Sequence, residues 1–160
     1  MKVLGVDPGL RITGYGLIES SATKIKLLEA GIIEPKEKDL IQNRINAIYN
    51  NLDELVTEYR PEVMVLEKLY THYRHPTTAC LLGHVRGVIC LLCARHRIKL
   101  VEHGVRRIRQ AMTGRGGASK LQTQGMVAHV LHIDKNQLTP DASDALALAL
   151  GYAQLHSNRL

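Results

Sequence analysis

Residues 2–18 read KVLGVDPGLRITGYGLI, and the runs and breaks in this stretch decide the fold. Lys2 to Asp7 is an apolar run that ends at Pro8-Gly9, after which Gly14 to Ile18 resumes with small and β-favouring residues. This pattern predicts a strand, a turn and a second strand. A further run, Ile25 to Ile33, predicts a third strand, so the chain is expected to begin with three antiparallel strands.

The rest of the chain alternates between helical and extended patterns. Apolar residues between Leu40 and Tyr59 recur at three- and four-residue spacing, which predicts an amphipathic helix ended by Pro61. Val63 to Leu66 is a continuous apolar run, typical of a strand buried on both faces of a parallel sheet. The other predicted elements are a helix over Thr77–His96, a strand over Lys99–Glu102, a helix near Val105–Met112, a flexible loop over Gly114–Gly117, and helices over about Ser119–His132 and Asp141–Leu155.

These elements predict a mixed α/β sheet, three antiparallel strands plus parallel strands, flanked by helices. With 160 residues, of which 45% are hydrophobic, residues 1–160 are expected to form a single domain around one core. The net charge of +6 indicates an anionic partner without identifying it as nucleic acid, membrane or acidic protein. Between Arg95 and Lys120 there are eight Lys and Arg residues against Glu102 alone, so this segment carries +7 and the remainder of the chain −1.

The cysteines Cys80, Cys90 and Cys93 lie in an apolar stretch and lack the second pair that a four-ligand zinc site needs. They predict buried thiols in a reducing compartment. The longest uninterrupted apolar run, Val88 to Ala94, is far shorter than the roughly 20 residues that span a bilayer. We therefore expect a soluble cytoplasmic protein without membrane contact.

Two carboxylates stand where predicted strands end. Asp7 closes the first strand and Glu67 closes the buried fourth strand, so neighbouring strands would bring the two acids together at the sheet edge where ligands bind in open α/β folds. Each has a simpler explanation. Asp7 suits a turn before Pro8-Gly9, and Glu67 suits a solvated residue leaving the sheet.

A second pair of acids begins the last helix. Thr139 is a suitable N-cap and Pro140 a suitable first helical residue, so Asp141 enters the first turn, where the helix dipole favours an acid. That does not explain Asp144, which shares its face three residues later in an otherwise apolar helix. A carboxylate facing inward is costly unless a cation compensates it, and no Lys or Arg lies between Asp141 and Gln154.

Four carboxylates without a suitable His or Cys cluster predict an oxygen-ligand site for Mg²⁺ or Mn²⁺ rather than zinc. Divalent ions held this way activate water and stabilise the leaving oxygen at phosphorus. The reaction expected from the residues is phosphodiester hydrolysis, with Asp7, Glu67, Asp141 and Asp144 as the catalytic and metal-binding acids.

Four segments of the chain are DPGLRITGYG at 7–16, LEKLY at 66–70, LGHVRG at 82–87 and DASDALA at 141–147. In sequence and in order, these segments and residues 114–122 resemble the RuvC family of crossover junction endodeoxyribonucleases. The resemblance covers essentially the whole chain. It implies a ribonuclease H-like domain, a homodimer, two Mg²⁺ ions per subunit that Mn²⁺ can replace, and paired symmetric incision of Holliday junctions in DNA recombination and repair. It also implies action with the RuvA–RuvB branch-migration complex.

Carried over by position, the resemblance assigns Tyr70 to stacking on a base near the cut, and Arg109 and Lys120 to DNA contact. The sequence departs from the family pattern at three positions, with Lys68 and His84 in place of Gln and Arg109 in place of Lys. These departures bear on the strength and sequence preference of DNA contact and leave the four acids intact.

The basic segment also predicts DNA contact from its own residues, without the family resemblance. Glycines flanking Arg115 and Lys120 would let cationic side chains follow a DNA backbone, together with Arg106, Arg107 and Arg109. An ordinary solvated loop is the alternative. A nucleotide phosphate loop is not expected, because Ser119 rather than glycine directly precedes Lys120, and Leu121 stands where Ser or Thr is needed.

Three other functions remain to be weighed. A ribonuclease H-like exonuclease or ribosomal-RNA processing nuclease would share the acids but commonly lacks the full 7–16 signature. An actin-like sugar kinase or ATPase needs two such domains and roughly twice this length. A non-catalytic DNA-binding module would have no reason to keep all four acids.

Overall fold

The structure is a computed structural model, and it describes residues 1–69 and 76–157. The strands are β1 Lys2–Asp7, β2 Thr13–Ser20, β3 Ile25–Ile33, β4 Val63–Glu67 and β5 Lys99–His103. The helices are α1 Ile41–Tyr59, α2 Pro76–His96, α3 Val105–Thr113, α4 Lys120–Leu131 and α5 Pro140–Ser157, with a short 3₁₀ turn at Lys135–Gln137. Every predicted element is present, and the 3₁₀ turn is an addition that the sequence patterns did not indicate.

The five strands form one mixed sheet in the order β3-β2-β1-β4-β5. β1 pairs antiparallel with β2 and β2 with β3, whereas β4 is parallel to both β1 and β5. The predicted architecture of three antiparallel strands extended by parallel ones, flanked by helices, is confirmed. β1 lies at the centre of the sheet, directly beside β4.

Alternation along the strands assigns each side chain to one of two cores. The face that packs against α1 and α2 carries Leu4, Val6, Met64 and Leu66. The face that packs against α3, α4 and α5 carries Val3, Val63 and Val65. Asp7 follows Gly5, and Glu67 follows Val65, by two residues, so both acids point to the face that α5 covers.

Glycines let α5 lie directly on β1 and β2. A Cβ at Gly5 would collide with the backbone carbonyl of Ala145, and a Cβ at Gly14 with that of Asp141. At Gly16 a Cβ would lie 2.5 Å from Cγ of Leu146. The beginning of α5 is therefore held closer to these two strands than any side chain larger than hydrogen would permit.

The second helix is covered on one side only. Val85, Ile89, Leu92 and Cys93 are buried against the sheet, whereas Leu91, Cys80 and Cys90 are exposed. The expectation of three buried thiols is wrong for Cys80 and Cys90, because α2 forms an outer layer and only one of its faces meets the core. By length and composition α2 is also apolar enough to cross a membrane, which counting uninterrupted apolar residues did not detect.

Replacing Gly5 with Ala is expected to destabilise the protein by about 3 kcal/mol, because the new methyl group forces α5 away from β1. The matched control is Gly125→Ala in α4, where a Cβ meets nothing within 4 Å. That change should stabilise by about 0.5–1 kcal/mol through helix propensity. Urea unfolding measures both. Equal stability of Gly5→Ala and wild type would mean that α5 is not held by this contact.

Candidate active site

The ends of two parallel strands place the first pair of acids. β1 and β4 are paired from Val3–Val63 to Val6–Leu66, and the next residue of each strand is Asp7 or Glu67. The two acids therefore emerge side by side at one edge of the sheet. This is the juxtaposition that the sequence predicted from the positions where the apolar runs stop.

The loop that follows Asp7 is fixed by Thr13, which is fully buried at the start of β2. Its Oγ1 donates a hydrogen bond to the carbonyl of Gly9 at 2.6 Å and accepts one from the Gly9 N–H at 3.3 Å. The Thr13 side chain thus hydrogen-bonds to both the N–H and the C=O of Gly9. The arrangement holds the backbone that leaves Asp7 in one conformation.

The second pair of acids is set by the beginning of α5. Thr139 Oγ1 accepts a hydrogen bond from the backbone N–H of Ala142 at 3.3 Å, so the predicted N-cap is confirmed. Asp141 lies in the first turn and Asp144 one turn later, above the glycines of β1 and β2. Helix and sheet together bring these acids to the edge where Asp7 and Glu67 emerge.

The four carboxylates repel one another. Burial raises the pKa of Asp7 to about 6, and the charges of three other acids add to this, in the order Asp144, Glu67 and Asp141. Burial also raises the pKa of Glu67, with Asp144 as the next cause. The described residues therefore leave part of the negative charge of these four carboxylates unneutralised. A bound cation would reduce the repulsion between them.

Part of that relief comes from Lys120, the first residue of α4, whose ammonium forms an ion pair with Oδ2 of Asp144. The hydrogen bond to Asp144 raises the pKa of Lys120. Arg109 of α3 is a second cation near the acids, and its positive charge opposes the rise in the pKa of Glu67. The absence of Lys and Arg from the acids' own helix did not exclude a compensating cation, because the neighbouring helix α4 supplies Lys120.

These groups surround a pocket of about 270 Å³. Its polar lining is Asp7, Glu67, Asp144, Arg109, Lys120 and Thr123, and its apolar lining is Val105, Ile108, Ala147 and Leu148. The lining acids lie on β1, β4 and α5, and the lining cations lie on α3 and α4. This arrangement suits a negatively charged substrate that binds to the basic side chains and to metal ions held by the acids.

The donors suit a hard divalent cation, although their present arrangement does not yet enclose one. Within residues 1–69 and 76–157, no three His, Cys, Asp or Glu side chains are close enough together to hold a metal ion. The ammonium of Lys120 occupies one oxygen of Asp144 instead. All available acidic donors are carboxylate oxygens, which Mg²⁺ and Mn²⁺ prefer. The chemistry of the donor set thus fits such an ion.

The predicted DNA-contacting residues fall into three groups. Arg109 and Lys120 line the pocket, whereas Arg106, Arg107 and Arg115 are exposed outside it. Tyr70 lies outside the described residues. The loop expected to be flexible is tied to α3, because Gln110 donates to the carbonyl of Gly114 at 2.7 Å and accepts from the N–H of Gly116 at 2.7 Å.

Sequence reasoning also missed Arg86 of α2, whose guanidinium donates to the backbone carbonyl of Glu67 at 2.9 Å. Its sequence signals were its place in the LGHVRG segment at 82–87 and its position as an arginine in a largely apolar helical stretch. Thr123, one turn into α4 beside Lys120, likewise lines the pocket without having been singled out.

The chain is similar in sequence and structure to known crossover junction nucleases. Residues 3–152 match the family described as crossover junction endodeoxyribonuclease RuvC. A relative of that name from Legionella pneumophila (strain Lens) is 36% identical over 155 residues, covering 97% of this chain and 88% of the relative. Another from Marinobacter nauticus is 39% identical over 158 residues, covering 99% and 89%. The structure of Thermus thermophilus RuvC matches with a TM-score of 0.87 and 26% identity, covering 96% of this chain and 94% of that one.

The raised pKa of Asp7 predicts a pH-dependent cost to the metal-free protein. Because the folded pKa of about 6 exceeds the ordinary 3.8, the folded state binds the proton more tightly, and stability falls as pH rises from about 4 to about 6. Asp7→Asn removes this cost, so with EDTA it should be more stable than wild type at pH 7.5, and the gain should shrink at pH 4.5. Thermal unfolding at the two pH values measures it.

The exposed Asp39 supplies the matched control, since Asp39→Asn should show no such pH-dependent gain. A stability gain for Asp7→Asn that is the same at both pH values would contradict the assignment.

Proposed function

The chain belongs to the RuvC family of crossover junction endodeoxyribonucleases, and we propose that Asp7, Glu67, Asp141 and Asp144 hold two Mg²⁺ ions that drive its phosphodiester hydrolysis. It is an endonuclease that resolves Holliday junctions, acting in DNA recombination and repair. Enzymes of this family depend on a metal, generally Mg²⁺. Residues 1–160 act in this proposal as a single nuclease domain in the cytoplasm.

The observation that carries the metal assignment is the charge imbalance at the sheet edge, expressed in the raised pKa of Asp7. When bound, the ions supply an activated water and stabilise the leaving oxygen in an in-line displacement. Asp7 and Glu67 provide donors fixed by strand ends, and Asp144 approaches from α5. Because three elements contribute donors, the carboxylates are held in place without reorganising during the reaction.

Cations on α3 and α4 are proposed to guide the DNA strand to the acids. Arg109 and Lys120 line the pocket beside the carboxylates, and exposed basic residues extend the positive surface outward at Arg106, Arg107 and Arg115. Contact with phosphates releases condensed counterions and favours binding at low salt. Tyr70, three residues beyond Glu67 in the chain, is proposed to stack on an unpaired base near the cut.

The exposed side of α2 is proposed to form a homodimer with a second copy of the chain. Exposed residues recur there at spacings of four and three, namely Cys80, His84, Gly87, Leu91 and Ala94. A Cβ at Gly83 or Gly87 would meet nothing within 4 Å, so another helix can approach closely. The spacing is that of a helix–helix seam, and two symmetric incisions need two active sites related by a twofold axis.

Sedimentation equilibrium should therefore give a particle of twice the 17.8 kDa chain mass. A monomer at micromolar concentration would overturn the dimer and leave α2 exposed to some other partner. We further propose, from membership of the RuvC family, that the dimer works with the RuvA–RuvB branch-migration complex.

Cleavage of matched substrates tests the function. With Mg²⁺, the protein should cut a labelled four-way junction at symmetric positions and leave duplex, single-stranded DNA and RNA–DNA hybrid intact. Asp7→Asn, Glu67→Gln, Asp141→Asn and Asp144→Asn should each lower the rate about 100-fold or more, or about 3 kcal/mol, while junction binding persists. Asp39→Asn is the control for loss of one acid.

Two outcomes would contradict this account. Digestion from DNA ends or cleavage of structured RNA would favour the alternative of an exonuclease or ribosomal-RNA processing nuclease with the same acids. A substituted acid that leaves junction cleavage at the wild-type rate does not belong to the site.

Lys120 is expected to compete with the metal. Its ion pair with Asp144 must break before a cation reaches that oxygen, so Lys120→Gln should bind Mn²⁺ more tightly in the absence of DNA, by about 5-fold. Electron paramagnetic resonance of free Mn²⁺ measures this affinity. The same variant should bind junctions more weakly, with the slope of log affinity against log salt reduced by about one.

Arg115→Gln is the control, because this exposed arginine lies outside the pocket. It should weaken junction binding while leaving Mn²⁺ affinity unchanged. If Lys120→Gln and wild type bind Mn²⁺ equally, the lysine does not compete for the site.

A further inference from the structure

Arg86 is an almost buried cation in the middle of the apolar helix α2. Its side chain is 12% exposed, and its neighbours Val85 and Ile89 are fully buried. Nη1 donates to the backbone carbonyl of Glu67 at 2.9 Å, and Nη2 forms an ion pair with the carboxylate of Glu102 on β5. Burying a guanidinium is costly, so its retention requires these two specific partners.

The carbonyl that Arg86 binds belongs to the last residue of β4. Ladder pairing between β1 and β4 stops at Leu66, one residue earlier, whereas on the other side Lys68 N–H donates to the carbonyl of His103 at 2.8 Å. Glu67 thus lies where β4 is still paired with β5 but no longer with β1. Arg86 supplies a hydrogen bond to the main chain at that point.

Arg86 differs from the basic residues proposed to face DNA in what its guanidinium binds. Arg109 and Lys120 line the pocket with Glu67, Asp7 and Asp144, whereas Arg86 lines a neighbouring pocket with Asp7, Glu67 and Lys68. Arg86 reaches the backbone of Glu67 from α2, and both arms of its guanidinium bind protein groups, the carbonyl of Glu67 and the carboxylate of Glu102. We therefore assign it to the position of the carboxylate rather than to the substrate.

We propose that Arg86 is a positioning residue that clamps the end of β4, holds Glu67 in its metal-binding position and ties it to α2. This proposal rests on the proposed function of Glu67 as a metal ligand. Glu102 completes the clamp, because it fixes the second arm of the guanidinium. Gly87, the residue after Arg86, lies on the exposed side of α2 that is proposed to contact a second copy of the chain. Arg86 therefore connects that side of α2 to Glu67.

Metal affinity without DNA tests the clamp. Arg86→Met keeps the length of the side chain but removes both donors, and should weaken Mn²⁺ binding about 10-fold, as loss of a partner that orients a ligand typically does. Arg86→Lys, with the charge and one donor group, should lie between Met and wild type. Glu102→Gln should weaken Mn²⁺ binding less than Arg86→Met, because Nη1 keeps its bond to Glu67.

The control is Arg95→Met, which removes an exposed arginine from the same helix and should leave Mn²⁺ affinity unchanged. Junction binding in Ca²⁺ and dimer mass should be unaffected in all four variants. In single-turnover cleavage, the Arg86 variants should need more Mg²⁺ for half-maximal rate at an unchanged half-saturating junction concentration.

Each result decides the matter. Mn²⁺ affinities equal to that of Arg95→Met, measured where urea unfolding shows each protein to be folded, would overturn the clamp. Weakened junction binding with normal Mn²⁺ affinity would also overturn it, since that would make Arg86 a DNA contact. If Arg86→Met does not fold, Arg86→Lys and Glu102→Gln carry the same test. Failure of wild type to cut junctions would instead refute the proposed function, which the Mn²⁺ measurement does not depend on.

Discussion

The direct contact of α5 with β1 and β2 is the constraint on which the site depends. Gly5 and Gly14 lie where any Cβ would strike the backbone of α5, so the helix rests on the sheet itself. That contact fixes the height of Asp144 above the strand end at Asp7. A helix raised by one side-chain layer would leave the acids of α5 and those of the sheet as separate surface charges.

Closeness of the acids has an electrostatic cost that the rest of the site offsets. Burial and mutual repulsion disfavour four charged carboxylates, as the raised pKa of Asp7 records, and the ammonium of Lys120 neutralises part of that charge in the metal-free protein. The same lysine is one of the residues proposed to contact the DNA backbone. One cation can thus serve the acids before metal arrives and the phosphates afterwards, which would couple metal loading to substrate binding.

Local patterns in the sequence were sufficient to predict the strands and helices, and also the edge of the sheet where Asp7 and Glu67 lie side by side. The N-cap at Thr139 could be predicted too, because capping depends on a few adjacent residues. Contacts between distant segments could not be predicted in this way. The pairing of Lys120 with Asp144 depends on how α4 packs beside α5, and the exposure of Cys90 depends on which face of α2 the core leaves uncovered.

The proposed function depends on the strand ends and α5 forming a divalent metal site from which Lys120 is displaced. Diffraction at the manganese absorption edge from crystals soaked in Mn²⁺ tests it most directly. The account predicts anomalous density between the carboxylates of Asp7, Glu67 and Asp144, with the ammonium of Lys120 moved off Asp144. Lys120 still paired with Asp144 at saturating Mn²⁺, with anomalous density absent from this pocket, would contradict it.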